Sequence, residues 1–402
     1  MSASTAASAR APNRQPPRRR VRLSWSDPLL RNVVWQVIVV GIVLGVIAAL
    51  VGNTNRNLAA RHIATGFGFL GRTAGIPIGE ALIPYNPSVD TYFHALLEGV
   101  LNTLKVSVVG IVLATVIGTL VGVGRLSRNW LIAKLSAVYV EVLRDIPPLL
   151  QLLFWYVLLQ GLPAPRQAAH FAGAFLSNRG VKVPWLHGDP AFGWAFLALL
   201  AGIGSAALWG KAARRRQDAT GRRSRVWPVA VALVVGLPSL VWAALGAPFS
   251  PDMPALHGFN FVGGATVSPE YGALLIGLTI YTSAYIAEIV RSGIQAVSLG
   301  QWEAAGALGL SRGAALRLVV LPQAMRVIIP PLTSEYLNLT KNSSLAVAIG
   351  YQDIVSLANT TLNQTGQAIE GITIIMLVYL TISLSISLFM NWYNTRIALV
   401  ER

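Results

Sequence analysis

Residues 94–124 read HALLEGVLNTLKVSVVGIVLATVIGTLVGVG, and their only Asp, Glu, Lys or Arg side chains are Glu98 and Lys105. About 20 apolar residues in a helix are enough to cross the hydrocarbon core of a bilayer, so this stretch predicts a membrane span. The rest of the chain agrees, because 54% of its 402 residues are hydrophobic and 12% are charged. That is about half the charged fraction of soluble domains. We therefore expect an integral membrane protein.

Seven further apolar stretches predict the other spans: residues 33–52, 135–160, 191–210, 226–245, 271–290, 327–350 and 371–391. The predicted fold class is all-α, a polytopic protein of about eight transmembrane helices. An even number of spans places both termini on one side, and the basic segments between spans mark that side as the cytoplasm. Because 327–350 contains Pro330 and Pro331, we expect its helix to be broken or tilted.

The N-terminal region, residues 1–31, is rich in Ala, Ser, Pro and Arg and is predicted to be a disordered cytoplasmic tail. A basic tail before an apolar stretch is also typical of a signal peptide. The stretch 33–52 is longer than the ~7–15 apolar residues of a signal peptide, and no convincing small-x-small cleavage site follows it. We favour an uncleaved anchor.

Composition also bears on ligands. The net charge of +16 is concentrated beside the predicted spans, which argues against a nucleic-acid partner. The chain has no cysteine, so disulfides and thiolate metal sites are excluded. Its five histidines are scattered, and we expect no bound metal.

Between the sixth and seventh predicted spans, residues 299–312 read LGQWEAAGALGLSR. This pattern predicts a short helix over 301–308 that Gly309 ends in a left-handed conformation. A second helix, capped by Ser311, is expected to run to Leu318 and to stop at Pro322. Small side chains beside Glu303 suit a helix that docks in a partner's groove. An amphipathic helix on the membrane surface is the alternative, and the residue pattern alone favours neither.

Residues 303–306, EAAG, followed by the pair Leu321-Pro322, resemble the EAA loop of ATP-binding-cassette (ABC) importer permeases. Segments 102–107, 125–129, 139–151 and 284–291 are similar to polar amino-acid permeases of the histidine/glutamine type. One departure is Asp145-Ile146, where that family usually has Gly-Thr. The first span and the insert 161–264 make the chain most similar to the larger permease of general L-amino-acid transporters.

The resemblance implies a domain organisation around a five-span permease core. Residues 1–31 would be the tail, 32–91 the first span and a periplasmic segment, 92–160 the first part of the core, 161–264 a two-span insert, and 265–397 the second part, with the coupling loop at 291–326.

The resemblance also implies a function, the import of L-amino acids from periplasm to cytoplasm across the bacterial inner membrane. The expected partners are ABC ATPase subunits, a second permease (a heteromer is favoured over a copy of this chain), a periplasmic amino-acid-binding protein and membrane lipid. No catalytic residue and no cofactor are expected, because the chain has no phosphate-binding loop and ATP would be bound by the partner. The residues implied to dock the ATPase are Gln301, Glu303, Ala304, Ala305, Gly306, Leu308 and Gly309.

Polar side chains within spans are the candidates for a translocation path, since a charge at mid-bilayer is costly unless it faces a partner or water. They are Glu141, Arg144, Asp145, Glu288, Glu335, Asn338, Lys341 and Asn342. A broken helix at Pro330-Pro331 would add backbone donors for a substrate carboxylate. Structural pairing is the alternative, because Glu141 and Arg144, and likewise Glu288 and Arg291, are three residues apart.

Two other classes of membrane protein fit the sequence less well. An ion-coupled secondary amino-acid transporter predicts an internal repeat between two halves, and none is evident. A membrane scaffold or embedded enzyme predicts a soluble domain or a catalytic cluster, and neither is evident.

Overall fold

The structure is a computed structural model that describes residues 28–60, 65–186, 190–221, 226–246, 251–258 and 260–397. Most of the predicted tail 1–31 lies outside these residues. The chain divides into two units, residues 1–65 and 66–402. The described part of the first unit is one helix, α1 (Pro28–Ala60), whose stretch Val34–Thr54 is long and apolar enough to span a membrane.

The second unit is mostly helical. Its α-helices are α2 (Tyr92–Gly124), α3 (Trp130–Asp145), α4 (Pro148–Gln160), α5 (Pro190–Thr220), α6 (Val226–Val231), α7 (Leu237–Ala244), α8 (Pro269–Gln295), α9 (Leu299–Ala307), α10 (Arg312–Ala315), α11 (Leu321–Asn342), α12 (Ile354–Thr365) and α13 (Ala368–Ile397). Turns of π-helix at Ala232–Gly236 and Leu316–Val320 join α6 to α7 and α10 to α11. Short 3-10 helices lie at Phe67–Gly71, Pro165–Gln167 and Ser343–Ile349. The predicted all-α membrane class is confirmed.

Short strands accompany the insert, and the sequence patterns did not predict them. They are β1 (Ala169–Phe171), β2 (Ala174–Ser177), β3 (Gly180–Val183), β4 (Trp185–Leu186), β5 (Pro251–Asp252), β6 (Ala255–His257), β7 (Asn260–Val262) and β8 (Ala265–Val267). All pairs are antiparallel, in one sheet of order β1-β2-β3-β8 and two pairs, β4-β5 and β6-β7. Strand β3 pairs with β8, which lies beyond the predicted insert boundary at residue 264 and leads directly into α8.

The predicted span 135–160 is two helices, α3 and α4, which meet at an angle of 103°. The break is at Ile146-Pro147, because a proline disfavours helical backbone in the residue before it and has no N–H to donate. Ile146 is extended, and the Gln151 side-chain amide donates to the carbonyls of Leu143 (2.8 Å) and Ile146 (3.0 Å). The predicted span 135–160 is therefore built from two helices with a sharp bend between them.

The bent pair nevertheless crosses the bundle once. Its contacts move steadily along α8: Tyr139 bonds Ser283 at 2.7 Å, the Leu152 backbone lies against Gly277, and Tyr156 donates to Glu270 at 3.3 Å. Counting α3 and α4 as one span gives eight candidate spans among the described residues, as the sequence predicted.

The segment from α10 to α11 corrects two further expectations. The candidate span Arg312–Ile349 continues through Pro322, and α11 continues through Pro330 and Pro331. In the π turn the Leu321 N–H bonds the Leu316 carbonyl, so the backbone is already out of the α-helical register where Pro322 lacks a donor. Nearly full burial of Ile328, Ile329 and Leu332 holds the next segment in place. There is no half-helix terminus at Pro330-Pro331.

Helices α2 and α8 run in the same direction and form the centre of the bundle. At one end Glu80 bonds both the Ser268 N–H (2.8 Å) and Lys105 (2.7 Å); at the other, Arg125 contacts Glu288. We call the first the sheet end, formed by residues 66–91, 351–367 and the four-stranded sheet. The second is the loop end, formed by residues 125–129 and 296–311.

Two glycines allow α2 and α8 to approach closely. A Cβ built on Gly122 would lie 2.6 Å from the carbonyl oxygen of Ala287, and one on Gly118 would lie 2.7 Å from the Cβ of Ile286. Close approach of backbones is the usual role of small residues at membrane helix contacts. The contact therefore requires glycine at both positions.

We predict that Gly122→Ala lowers the thermal stability of the purified protein by about 1 to 3 kcal/mol, because the added methyl group must displace the α8 backbone. The matched control is Gly204→Ala in α5, where nothing lies within 4 Å of the added Cβ. Thermal unfolding in detergent measures both. An equal or smaller loss for Gly122→Ala than for the control would contradict the close contact.

Asp353 caps α12 at the sheet end. Its carboxylate accepts from the Ser356 N–H at 2.9 Å, and the residue is 0% exposed. Burial raises the pKa of Asp353 to about 7, although bonds from the backbone N–H groups of Ser356 and Val355 act to lower it. Asp353 therefore keeps its proton to a higher pH in the folded protein than in the unfolded chain.

Because the folded pKa is the higher one, the contribution of Asp353 to stability is full below about pH 4 and is lost as the pH rises through about 7. We predict that Asp353→Asn, which still caps the helix, raises the melting temperature relative to wild type more at pH 8 than at pH 5. Expressed as a free energy of unfolding, the gain from the substitution should be larger at pH 8 than at pH 5 by an amount on the order of a few kcal/mol. A gain that is the same at both pH values, or larger at pH 5, would contradict it.

Candidate functional site

Helix α9 lies at the loop end and carries the EAAG residues. It begins after Ser298, and Gly309 follows it with φ 73°, in the left-handed region. The Leu310 N–H bonds the Ala305 carbonyl at 3.1 Å and closes the turn. The predicted short helix and its left-handed glycine are confirmed.

Exposure separates the predicted docking residues into two groups. Gln301, Glu303, Ala304, Gly306, Leu308 and Gly309 are all exposed. Ala305 is 2% exposed, so it packs inside this chain and does not face a partner. We call the exposed group the α9 face.

Helix α9 is fixed to the bundle from its inner side. Trp302 packs against the main core, and the Gln323 side-chain amide donates to the Gln301 side chain at 3.1 Å. Gln323 lies in the first turn of α11, so this bond joins α9 to that helix.

A cleft of about 500 Å³ lies between α2, α3 and α8 near the loop end. Its lining brings together four of the predicted path residues, Glu141, Arg144, Asp145 and Glu288, with Arg125, Val140 and Tyr285. The cleft thus presents both carboxylates and guanidinium groups.

An ion network forms one wall of this cleft. Glu288 contacts Arg125 of α2 and pairs with Arg291 at 2.5 Å, and Arg291 donates to Gln295 at 2.6 Å. The spacing prediction for Glu288 and Arg291 is confirmed. Pattern analysis missed Arg125 as a site residue, because it is 163 residues from Glu288, although the family-like segment 125–129 begins with it.

Arg144 does not pair with Glu141 as its spacing suggested: among the described residues, no such ion pair is formed. The Arg144 guanidinium instead lies 4.9 Å from the centre of the Tyr285 ring. An arginine over a tyrosine face is a favourable cation–π contact. The charge of Arg144 also reaches Glu335 of α11.

The other predicted path residues lie on one face of α11 and do not line the cleft. Asn338 and Lys341 are exposed, and Glu335 and Asn342 are half-buried. Spacings of three and four residues put Glu335, Asn338 and Lys341 in a row along the helix. We call these four residues the α11 stripe. It runs from Glu335 toward the sheet end.

Comparison with known proteins identifies the family to which the chain belongs. The family described as "Binding-protein-dependent transport system inner membrane component" matches residues 212–399. A putative amino-acid ABC transporter permease protein, YhdX of Escherichia coli, is 52% identical over 387 residues, 94% of this chain and 97% of the relative. The chain belongs to the ABC transporter permease family.

Two other relatives refine the assignment. The general L-amino acid transport system permease protein AapQ of Rhizobium johnstonii is 50% identical over 95% of this chain and 96% of its own length. The glutamate/glutamine/aspartate/asparagine transport system permease protein BztB of Rhodobacter capsulatus is 44% identical over 96% and 99%. The resemblance to the larger amino-acid permeases is confirmed, and the comparisons give no support to an ion-coupled transporter.

The ion network of this permease gives a test of the cleft. We predict that Arg125→Gln and Glu288→Gln are coupled by about 1 to 2 kcal/mol in a double-mutant cycle, because both side chains are largely shielded from solvent. Thermal unfolding of the purified permease measures it. The control cycle, Arg125→Gln with Glu141→Gln, should show no coupling; equal coupling in the two cycles would contradict the network.

Proposed function

We propose that this permease carries L-amino acids from the periplasm to the cytoplasm as one subunit of an importer whose separate ATPase subunits dock on the α9 face. Three near full-length relatives named for amino-acid transport support the substrate class. The observation that carries the docking proposal is α9 itself, whose small and polar side chains are exposed while its inner side is fixed to the core.

The proposed orientation places the loop end in the cytoplasm. Arginines and lysines of this end border the spans: Arg125, Arg128, Lys134, Arg291, Arg312 and Arg317. The segment 351–367 at the sheet end contains neither. Basic residues beside spans favour the cytoplasmic side. With eight spans, both termini are then cytoplasmic.

The α9 face suits an ATPase groove for a physical reason. Ala304 and Gly306 allow a partner to approach the helix backbone, and the Glu303 carboxylate offers one directional contact for a cation or N–H donor. Leu308 is 81% exposed and supplies apolar area. Glu303, Ala304, Gly306 and Leu308 are all exposed to solvent in this chain, so we assign them to the partner.

The proposed translocation path follows the α11 stripe and the cleft. Polar side chains on an uncovered face of a spanning helix are costly against lipid, so this face is best satisfied by water and by a second permease across the path. An amino acid carries an ammonium and a carboxylate. Glu335 and Arg144 interact electrostatically and offer the opposite charges.

A movement of the ATPase would be transmitted to the helices that line this path through two connections. Gln301 and Gln323 link α9 to α11, and Arg291 and Glu288 link the end of α8 to Arg125 of α2. Rigid-body movement of these helices would alternate access between the two sides of the membrane. The second permease, expected to be a different chain, and a periplasmic amino-acid-binding protein at the sheet end complete the assembly.

The decisive experiment captures the tagged permease from its native membranes and identifies the proteins that co-purify. We expect a stoichiometric ATPase subunit with the wild type. Glu303→Lys and Gly306→Trp should each leave the permease inserted, remove the ATPase and abolish ATP-driven uptake. The control is Gly204→Trp in α5, where nothing lies within 4 Å of an added Cβ; this variant should retain both the ATPase and uptake.

Two results would contradict the proposal. One is normal uptake with either α9-face variant. The other is amino-acid transport by the permease alone in liposomes without ATP, which would instead support a carrier driven by an ion gradient.

A further inference from the structure

The two helical arms of the insert form a hairpin that is nearly separate from the rest of the bundle. Helix α5 contacts α6, the π turn and α7, and none of these elements makes an extensive contact with another helix of the described chain. Only three residues of α5 are buried, Ala191, Gly202 and Ala213, and α6 and α7 have none. Protein packing therefore does little to fix the hairpin in place.

Tryptophans mark two levels along this hairpin. A Cβ on Gly202 would lie 2.2 Å from the Leu233 carbonyl, and one on Gly210 would lie 3.9 Å from the Val226 side chain. This antiparallel register sets Trp209 beside Trp227 and Trp194 beside Trp242. Each helix thus carries two tryptophans 15 positions apart, about 22 Å along the axis. Paired levels of tryptophan are typical of the two interfaces of a bilayer.

The basic cluster begins directly beyond the Trp209 level. The apolar part of α5, residues 191–210, is about 30 Å long at 1.5 Å per residue, the thickness of the hydrocarbon core. Lys211, Arg214, Arg215 and Arg216 follow within the next two turns, and all four are exposed. The length of the helix therefore places these cations at the level of the lipid headgroups.

These cations lack acidic partners in the part of the chain that the structure describes, since no ion pair there includes any of the four. The one acidic residue near them in α5, Asp218, forms no ion pair with any of the four. We call Lys211, Arg214, Arg215 and Arg216 the hairpin tip. Four exposed cations at the end of a membrane helix, without an acidic partner among the described residues, favour anions from outside the chain.

We propose that the hairpin tip binds the phosphate groups of anionic phospholipids, and that this binding positions the insert within the membrane. The leaflet is the cytoplasmic one if the proposed orientation holds, but lipid binding itself does not depend on the transport function. A cluster of four or more Lys and Arg next to a membrane helix attracts anionic lipid by about fivefold in affinity for each cation.

The position of these cations along the membrane normal favours lipid over a protein partner. The α9 face is exposed on a loop that connects two spans, whereas Lys211 to Arg216 continue the membrane helix without a break. Arginine also matches phosphate oxygens with two parallel N–H bonds. Headgroup phosphates lie at the level where these guanidinium groups emerge.

The test uses the purified full-length permease in detergent, titrated with phosphatidylglycerol or phosphatidylcholine. Bound lipid is counted by native mass spectrometry, and the melting temperature is followed in parallel. We expect preferential binding and stabilisation by phosphatidylglycerol, weakened at 500 mM salt, as exposed charges are screened. Arg215→Gln/Arg216→Gln should reduce the preference about 25-fold.

Two matched variants control for loss of charge and loss of shape. Arg72→Gln/Arg179→Gln removes two exposed cations at the sheet end and should leave the preference unchanged. Arg215→Lys/Arg216→Lys keeps the charge and should retain most of the preference for phosphatidylglycerol. Because the chain has no cysteine, a single Gln217→Cys with an impermeant maleimide reports whether each variant keeps its sidedness in membranes.

Three outcomes would overturn the proposal. The first is equal binding of both lipids by the wild type, and the second is an unchanged lipid preference in Arg215→Gln/Arg216→Gln. The third is that Arg215→Gln/Arg216→Gln loses the co-purified ATPase while its lipid binding is intact, which would make the hairpin tip a protein contact. These outcomes do not bear on the α9 variants. Failure here leaves the proposed transport function standing.

Discussion

Helices α2 and α8 meet at Gly118 and Gly122, where there is no room for a Cβ, and α3, α4 and α11 pack against this pair. Because the two helices run in the same direction, Glu80 can join both at the sheet end and Glu288 can join both at the loop end. Helix α11 packs along the same pair, and α9 is bonded to α11. The α9 face and the polar cleft are thus parts of one tightly packed group.

Charge is arranged differently in the core and in the insert. In the core, Glu288 satisfies Arg125 and Arg291 within the chain, which is how ionic side chains are normally retained inside a membrane bundle. The hairpin of α5 to α7 has no such internal partners among the described residues and little packing. Its position must come from the bilayer, through tryptophan levels and the cations of the hairpin tip.

The sequence predicted the spans well because each needs about 20 apolar residues regardless of its neighbours. It also predicted α9, because Gly309 has a local conformational role. Tertiary context decided most of what it missed. The continuous helix through Pro330 and Pro331 and the burial of Ala305 depend on packing that no local pattern records, whereas the bend at Pro147 follows a local rule that the apolar pattern did not include. Strands of two to four residues carry too little pattern to predict.

The proposed transport mechanism requires the α11 stripe to face a water-filled path whose access changes with ATP. The most direct measurement places a single cysteine in this cysteine-free chain at Asn338 and follows its reaction with a water-soluble thiol reagent in membranes containing the assembled transporter. We predict fast labelling of Asn338→Cys with a rate that ATP changes severalfold, and little labelling of Leu384→Cys on the exposed apolar face of α13. If Asn338→Cys were as unreactive as Leu384→Cys, with and without ATP, the stripe would not line the path.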